Sequence, residues 1–379
     1  MAKTSFVLSP AKIKVIGLGG GGCNAATRMV REGIQGVEFI GMNTDAQALA
    51  LTETPIRIQL GEKLTRGLGA GGDHILGQKA ADDSRDEIKA LVSSADMVFI
   101  TAGMGGGTGT GAAPIVAEVA KQCGALTIGV VTKPFSFEGA HRSQVADEGI
   151  NSLLGRVDTL VIIPNDRLLL QCDQKTSVDS AFKMADDVLT RGVQAISEVI
   201  TVPGLINLDF ADVKATMKDA GPAWMSVGTG SGAHRAVDAA KAALGSPLLD
   251  VAIEGARGVL FNVVGGSSLT LFEVNEAAGV IKQAVDPEAN IIFGVAYEPT
   301  MDKEVRITLI ATGFTSREGY LWRGRDTEVV EYLTELKKSE EEMDTPSFLR
   351  RPLFGRRRQL PMPATEKKAA KVTPRTLVR

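Results

Sequence analysis

The stretch Gly103-Met-Gly-Gly-Gly-Thr-Gly-Thr-Gly111 constrains this chain more than any other, because it follows the apolar run 97–101 and opens a helical pattern. Gly17-Leu-Gly-Gly-Gly-Gly22 repeats the arrangement after the run 13–17. Backbone N–H groups at the start of a helix attract anions, and glycine lets a phosphate come close to them. Thr108 and Thr110 add hydroxyl donors, and a third segment, Gly67-Leu-Gly-Ala-Gly-Gly72, is placed to close over a terminal phosphate. One such cluster is as well explained by tight turns. Three at the carboxyl side of one sheet are not, since open α/β sheets hold their ligands there.

The surrounding pattern predicts that sheet. Runs 13–17, 38–42, 97–101, 126–132 and 159–163 read as buried strands, with helical stretches at 23–33, 74–92, 111–122 and 139–154 between them. Such alternation predicts a parallel sheet covered on both faces. Apolar positions from Val178 through Val188 and Val193 to Ile200 keep a helical period over 177–201, a helix ~37 Å long, which Pro203-Gly204 should end. Strands near 224–229, 258–264, 290–297 and 304–312 then alternate with helices near 233–243 and 273–284, as in a smaller α/β domain with a mixed sheet.

Composition narrows the classes. The chain has 379 residues, 44% hydrophobic and 23% charged, which suits two ordinary folded domains. A net charge of −3 argues against nucleic-acid binding by the body. From Arg350 onward, however, ten basic residues face Glu366 alone. Cys23, Cys123 and Cys172 are scattered, which points to a reducing compartment and excludes a dedicated cysteine metal site. Neither a signal peptide nor an apolar run of membrane-spanning length is read, so a cytoplasmic, soluble protein is expected.

Gly17-x-Gly19-x-x-Gly22 also fits the dinucleotide fingerprint, with Asn43 or Asp45 where a ribose-binding acid would lie. An NAD-dependent oxidoreductase would leave the 103–111 run unexplained, and His74, His141 and His234 form no evident catalytic set. No GxxxxGK[ST] occurs, so the chain is not a Walker-type NTPase.

The 103–111 run resembles the signature loop of the tubulin superfamily, and its neighbours resemble the FtsZ cell-division branch. Thr132-Lys-Pro-Phe-Ser-Phe-Glu-Gly139 with Arg142, Pro164-Asn-Asp-Arg167, Pro203-Gly-Leu-Ile-Asn-Leu-Asp-Phe-Ala-Asp-Val213 and Asn290-Ile-Ile-Phe-Gly294 follow in the FtsZ order, over roughly residues 10–315. The resemblance implies a GTPase activated by self-assembly into head-to-tail filaments, with GTP and GDP as substrate and product. It implies an N-terminal extension (1–10), a Rossmann-like GTPase domain (11–176), a connecting helix (177–202) and a C-terminal α/β domain (203–315). A linker (316–343) and a disordered basic tail (344–379) would follow.

By the same resemblance Gly20, Gly21, Gly22, Cys23, Asn24, Ala70, Gly71, Gly72, Gly103, Gly105, Gly106, Gly107, Thr108, Gly109 and Thr110 surround the nucleotide. Glu138 and Arg142 contact ribose and phosphates, Asn165 joins them, Phe182 stacks on guanine, and Asp186 accepts from its N1 and 2-amino donors. Phe182 and Asp186 are four apart on one helix and share a face; taken alone, Phe182 reads as a core residue. Asn207, Asp209 and Asp212 read locally as an N-cap and first turn. The FtsZ pattern makes them the catalytic loop that completes the next subunit's site, where Asp209 and Asp212 polarise the attacking water and help bind a Mg²⁺ held mainly by phosphates. A non-hydrolysing scaffold of the superfamily would lack these carboxylates.

Asp344-Thr-Pro-Ser-Phe-Leu-Arg-Arg351 resembles the FtsZ peptide that docks on membrane anchors and regulators at mid-cell, through Asp344, Pro346, Phe348, Leu349 and Arg350. The basic residues beyond it fit anionic-lipid contact or a solubilising tail equally well. The chain departs from the family at Asp73-His74 in place of Asn-Pro, at Pro222 and Trp224, in its short linker and in its basic extension.

Overall fold

The computed structural model of the chain describes residues 11–170, 172, 176–201, 209–246 and 253–314. The N-terminal extension, Pro203-Gly204, Asn207, the linker, the 344–351 peptide and the basic tail lie outside the described residues.

Ten strands make one sheet: β1 (Ile13–Leu18), β2 (Val37–Asn43), β3 (Ile56–Gln59), β4 (Met97–Gly103), β5 (Leu126–Lys133), β6 (Thr159–Pro164), β7 (Gly221–Ser231), β8 (Gly258–Gly265), β9 (Asn290–Tyr297) and β10 (Glu304–Thr312). Their order is β3-β2-β1-β4-β5-β6-β7-β10-β8-β9. The first six are parallel, whereas β10 runs antiparallel to β7 and β8. The two halves meet where Thr159–Val161 pairs with Gly221–Ala223, so the parallel and mixed parts lie edge to edge in one sheet.

Every residue of β1 is buried, as a strand covered on both faces requires. Alternate residues supply two cores. Ile16, Leu18, Val98 and Ile100 pack under the helices Gly107–Gln122 and Ala140–Leu154, while Val15, Met97 and Phe99 pack under Gly19–Arg31 and Val178–Thr201. Leu189, Val193, Ile196 and Val199 on Val178–Thr201 reach the second core, which also holds Leu260, Ile292 and Ile310 from β8, β9 and β10. One helix, ~36 Å long, therefore packs on both halves of the sheet.

Three local features differ from the sequence pattern. The expected helix over 74–92 is two, His74–Asp83 and Arg85–Val92, because the Ser84 hydroxyl donates to the Ala80 carbonyl and accepts from the Gly61 N–H, turning the chain. The short strand β3 was not anticipated. The first turn expected at Asp209–Asp212 continues as the helix Phe210–Met217, which seats Val213 and Met217 in the second core. Pro222 stands at the start of β7, where a missing N–H is tolerated, and Trp224 is buried two residues on.

A buried ionic cluster fastens the mixed half. Arg235 is buried and donates to both Glu273 oxygens (2.7 and 3.2 Å), to Ser268 and to the Asp302 carbonyl. Its guanidinium holds the Glu273 carboxyl down at about 2. A depressed carboxyl stabilises the fold above its unfolded pKa and loses that contribution as pH falls through the folded value. Glu273→Gln should therefore lower stability by about 1.5–3 kcal/mol at pH 7. The difference from wild type should shrink between pH 4.5 and 2, as read by thermal unfolding.

Candidate nucleotide site

Two glycine loops meet at the carboxyl ends of β1 and β4. Gly19 adopts φ +67°, and a Cβ there would lie 2.8 Å from the Gly109 nitrogen, so the loops touch backbone to backbone. Gly105, at φ +96°, similarly abuts the Arg142 carbonyl, and its N–H donates to the Thr110 hydroxyl at 2.9 Å. At Gly22 a Cβ would collide with the Thr101 carbonyl. Gly20 and Gly106 are different. Neither has a positive φ, and a Cβ at either would meet nothing within 4 Å. Packing does not explain their lack of a side chain; the space in front of them does.

That space is a cavity of about 680 Å³, within the range of small-molecule sites. Gly20, Gly21, Gly103, Gly106, Gly107, Thr108 and Gly109 wall one end, and Ala70, Gly71 and Gly72 form an adjoining edge. Glu138 and Arg142 line the middle, ion-paired at 2.6 Å, with the second Glu138 oxygen taken by the Phe135 N–H. Asn24, Asn165, Phe182 and Asp186 line the far end. Gly22, Cys23, Gly105 and Thr110 do not line it. The Cys23 thiol points into the core, with the Gly17 and Met42 carbonyls as alternative acceptors for its one proton, and burial pushes it up to about 11. These four shape the walls from behind.

Other residues at the cavity carried little or no signal. Thr44 hydrogen-bonds Thr108 hydroxyl to hydroxyl at 2.6 Å behind the wall. Asn43 lines the cavity from the end of β2, beside β1. Asp45 also lines it, but one of its carboxylate oxygens caps the helix Ala46–Ala50 by accepting from Gln47 and Ala48.

The far end is built for a planar polar ring. Phe182 is 40% exposed and packs at right angles to the Phe135 and Phe137 rings. Asn165 is 4% exposed, and its Oδ1 has no hydrogen-bond partner among the described residues. Burial pushes the Asp186 carboxyl up to about 6, opposed by Arg28 and reinforced by Asp187; Arg28 itself pairs with Asp187. Acceptors without a donor among the described residues, beside a partly exposed aromatic ring and across from a cradle of N–H groups, fit a base that carries N–H donors and a phosphate chain.

Two family models match the chain: the GTPase domain of the Tubulin/FtsZ family over residues 12–173, and the C-terminal domain of the FtsZ family over residues 221–315. An FtsZ dimer from M. jannaschii is 48% identical, with a TM-score of 0.79, and the match covers 81% of this chain and 89% of that one. The chain belongs to the FtsZ family. It is a tubulin-like GTPase, and its substrate and product are GTP and GDP. A single-substitution mutant of the same M. jannaschii FtsZ matches at 48% identity and TM-score 0.79, covering 81% and 92%. CetZ1 of Haloferax volcanii, a GDP-bound monomer, shares the fold at TM-score 0.70 and 20% identity, covering 86% and 99%.

Asp209 and Asp212 lie elsewhere in this FtsZ-family chain. Asp209 caps the helix Phe210–Met217, accepting from the Asp212 N–H at 2.8 Å. Both residues are exposed, and the Asp212 carboxylate accepts no hydrogen bond among the described residues. Their helix ends where the Thr159 hydroxyl donates to the Met217 carbonyl at 2.5 Å, at the first residue of β6. Asn165, which lines the cavity, follows the last. A strand of that length places the two ends ~20 Å apart. Among the described residues no three His, Cys, Asp or Glu side chains are grouped to hold a metal. No helix among the described residues is long and apolar enough to cross a membrane.

The raised Asp186 carboxyl has a testable cost. A carboxyl whose folded pKa exceeds its unfolded value makes stability fall as pH rises between the two, here from about 4 to about 6. Nucleotide-free Asp186→Asn should therefore be more stable than wild type at pH 7.5, by about 1–3 kcal/mol before solvent screening reduces it. The advantage should vanish below about pH 4, as read by thermal unfolding across pH.

Proposed function

We propose that this chain polymerises head to tail into the filaments of a cytokinetic ring and hydrolyses GTP at each junction between subunits. Guanine lies against Phe182 with its N1 and 2-amino donors on Asp186; the phosphates lie on the N–H groups of Gly20, Gly21 and Gly107–Gly109. Asp209 and Asp212 of the next subunit, with Asn207 beside them, orient the attacking water and accept its proton. Mg²⁺ held by the phosphates would neutralise developing charge.

The observation that carries this reading is that two exposed carboxylates, absent from the cavity lining, stand on a helix whose carboxyl end joins the first residue of β6, while the cavity lies beyond the last. They are out of reach within one subunit, and in reach of the next if copies stack end to end. The M. jannaschii FtsZ dimer supports self-association, and CetZ2 of Haloferax volcanii, 18% identical with a TM-score of 0.70, was captured as a GTPγS-bound protofilament. The 11–176, 177–202 and 203–315 divisions then correspond to nucleotide holding, connection and loop presentation. The 344–351 peptide recruits the filament to anchors and regulators at mid-cell.

The test is complementation in trans. Asp212→Asn leaves the cavity intact and should bind GTP yet hydrolyse it about 10²–10⁴-fold more slowly. Gly106→Asp should fold at least as well as wild type, because Gly106 already has an extended N-cap backbone and aspartate is a preferred cap. Its carboxylate would occupy the phosphate position and, combined with Asp186→Ala, should abolish GTP binding. Each variant alone should be nearly inactive, and mixtures should recover phosphate release in proportion to junctions joining an intact cavity to an intact loop. Mixtures giving only the weighted sum of the parents would refute hydrolysis across the junction.

A further inference from the structure

The helix Gly107–Gln122 begins at the cavity and, at ~24 Å, ends at the opposite edge of the sheet. It is buried along most of its length, from Gly107 to Ala120. In its last turn Lys121 reaches two acids. Its Nζ lies 3.0 Å from Asp158 Oδ1 and 2.8 Å from Asp219 Oδ1. Asp158 is 3% exposed and is held by the Thr127 N–H on its other oxygen, while its carbonyl accepts from the Gly221 N–H. Asp219 follows the end of Phe210–Met217 in a left-handed conformation, φ +51°, which a non-glycine residue adopts at some cost. With the Thr159–Met217 hydrogen bond, these contacts clamp the carboxyl end of the helix whose amino end bears Asp209 and Asp212.

We infer that Lys121 is a positioning residue for hydrolysis in the next subunit, fixing the Asp209–Asp212 helix to the far end of the phosphate-cradling helix. This rests on the proposed trans-acting loop. Satisfying the buried Asp158 would take only one contact from Lys121. The second, to an exposed Asp219, adds little stability as a surface pair and instead ties down the turn after the carboxylate-bearing helix.

Where the substitution sits in a mixed filament separates positioning from general stability. Lys121→Met is placed either in the loop donor (Gly106→Asp with Asp186→Ala) or in the cavity donor (Asp212→Asn), and each is mixed with the complementary parent. In the loop donor it should cut recovered phosphate release about ten- to hundredfold, the scale of an ångström-level misplacement. In the cavity donor it should change release less than about twofold and leave GTP affinity unaltered. Lys121→Arg in the loop donor should restore most of the activity. Equal losses in both positions, or no loss in either, would overturn the inference. If the parent pair itself fails to complement, the trans-acting reading falls, and this inference with it.

Discussion

The contact between Gly19 and Gly109 sets the conditions for the rest of the site. It brings the amino ends of two helices, Gly19–Arg31 and Gly107–Gln122, to one cavity. Each end carries partial positive charge from unsatisfied N–H groups, and the two repel when nothing lies between them. The buried parallel strands behind them supply the apolar packing that holds this arrangement. An anion relieves the repulsion, so phosphate affinity is built into the backbone before any side chain contributes. The carboxyl of Asp186 at the far end is the mirror case, an acceptor half-removed from water that donors on a base would satisfy.

Much of this was legible in the amino-acid pattern. Buried parallel strands are runs of apolar residues, and eight of the ten were read nearly to their ends. The ninth, β7, was placed with its start three residues late. The tenth, β3, has only four residues and one buried side chain, too short for a period. The break at Ser84 depends on a hydrogen bond to Gly61, distant in sequence, and leaves no local mark. Helix geometry puts Phe182 and Asp186 on one face, but only the family resemblance distinguishes Phe182 from a core residue.

The glycines show where sequence reasoning stops. As letters, Gly19, Gly20, Gly22 and Gly106 are equivalent. In the fold, Gly19 and Gly22 are demanded by neighbouring backbone, whereas Gly20 and Gly106 face open space. Cys23 and Thr110 lie within the motifs yet turn away from the cavity, because the phase of each helix, set by tertiary packing, decides which side chains face in. Of Asp209's two readings the structure bears out the local one: it caps a helix, accepting from the Asp212 N–H.

The division among the glycines bears on how such a chain would decay. If a duplicated copy no longer bound nucleotide, selection for folding would still hold Gly19 and Gly22, since a side chain there strikes backbone. Gly20 and Gly106 would be released, and Gly106 would drift toward serine or aspartate, which cap a helix better. A relative keeping the first pair while losing the second would be a filament subunit that had surrendered its fuel, recognisable from two letters of its sequence.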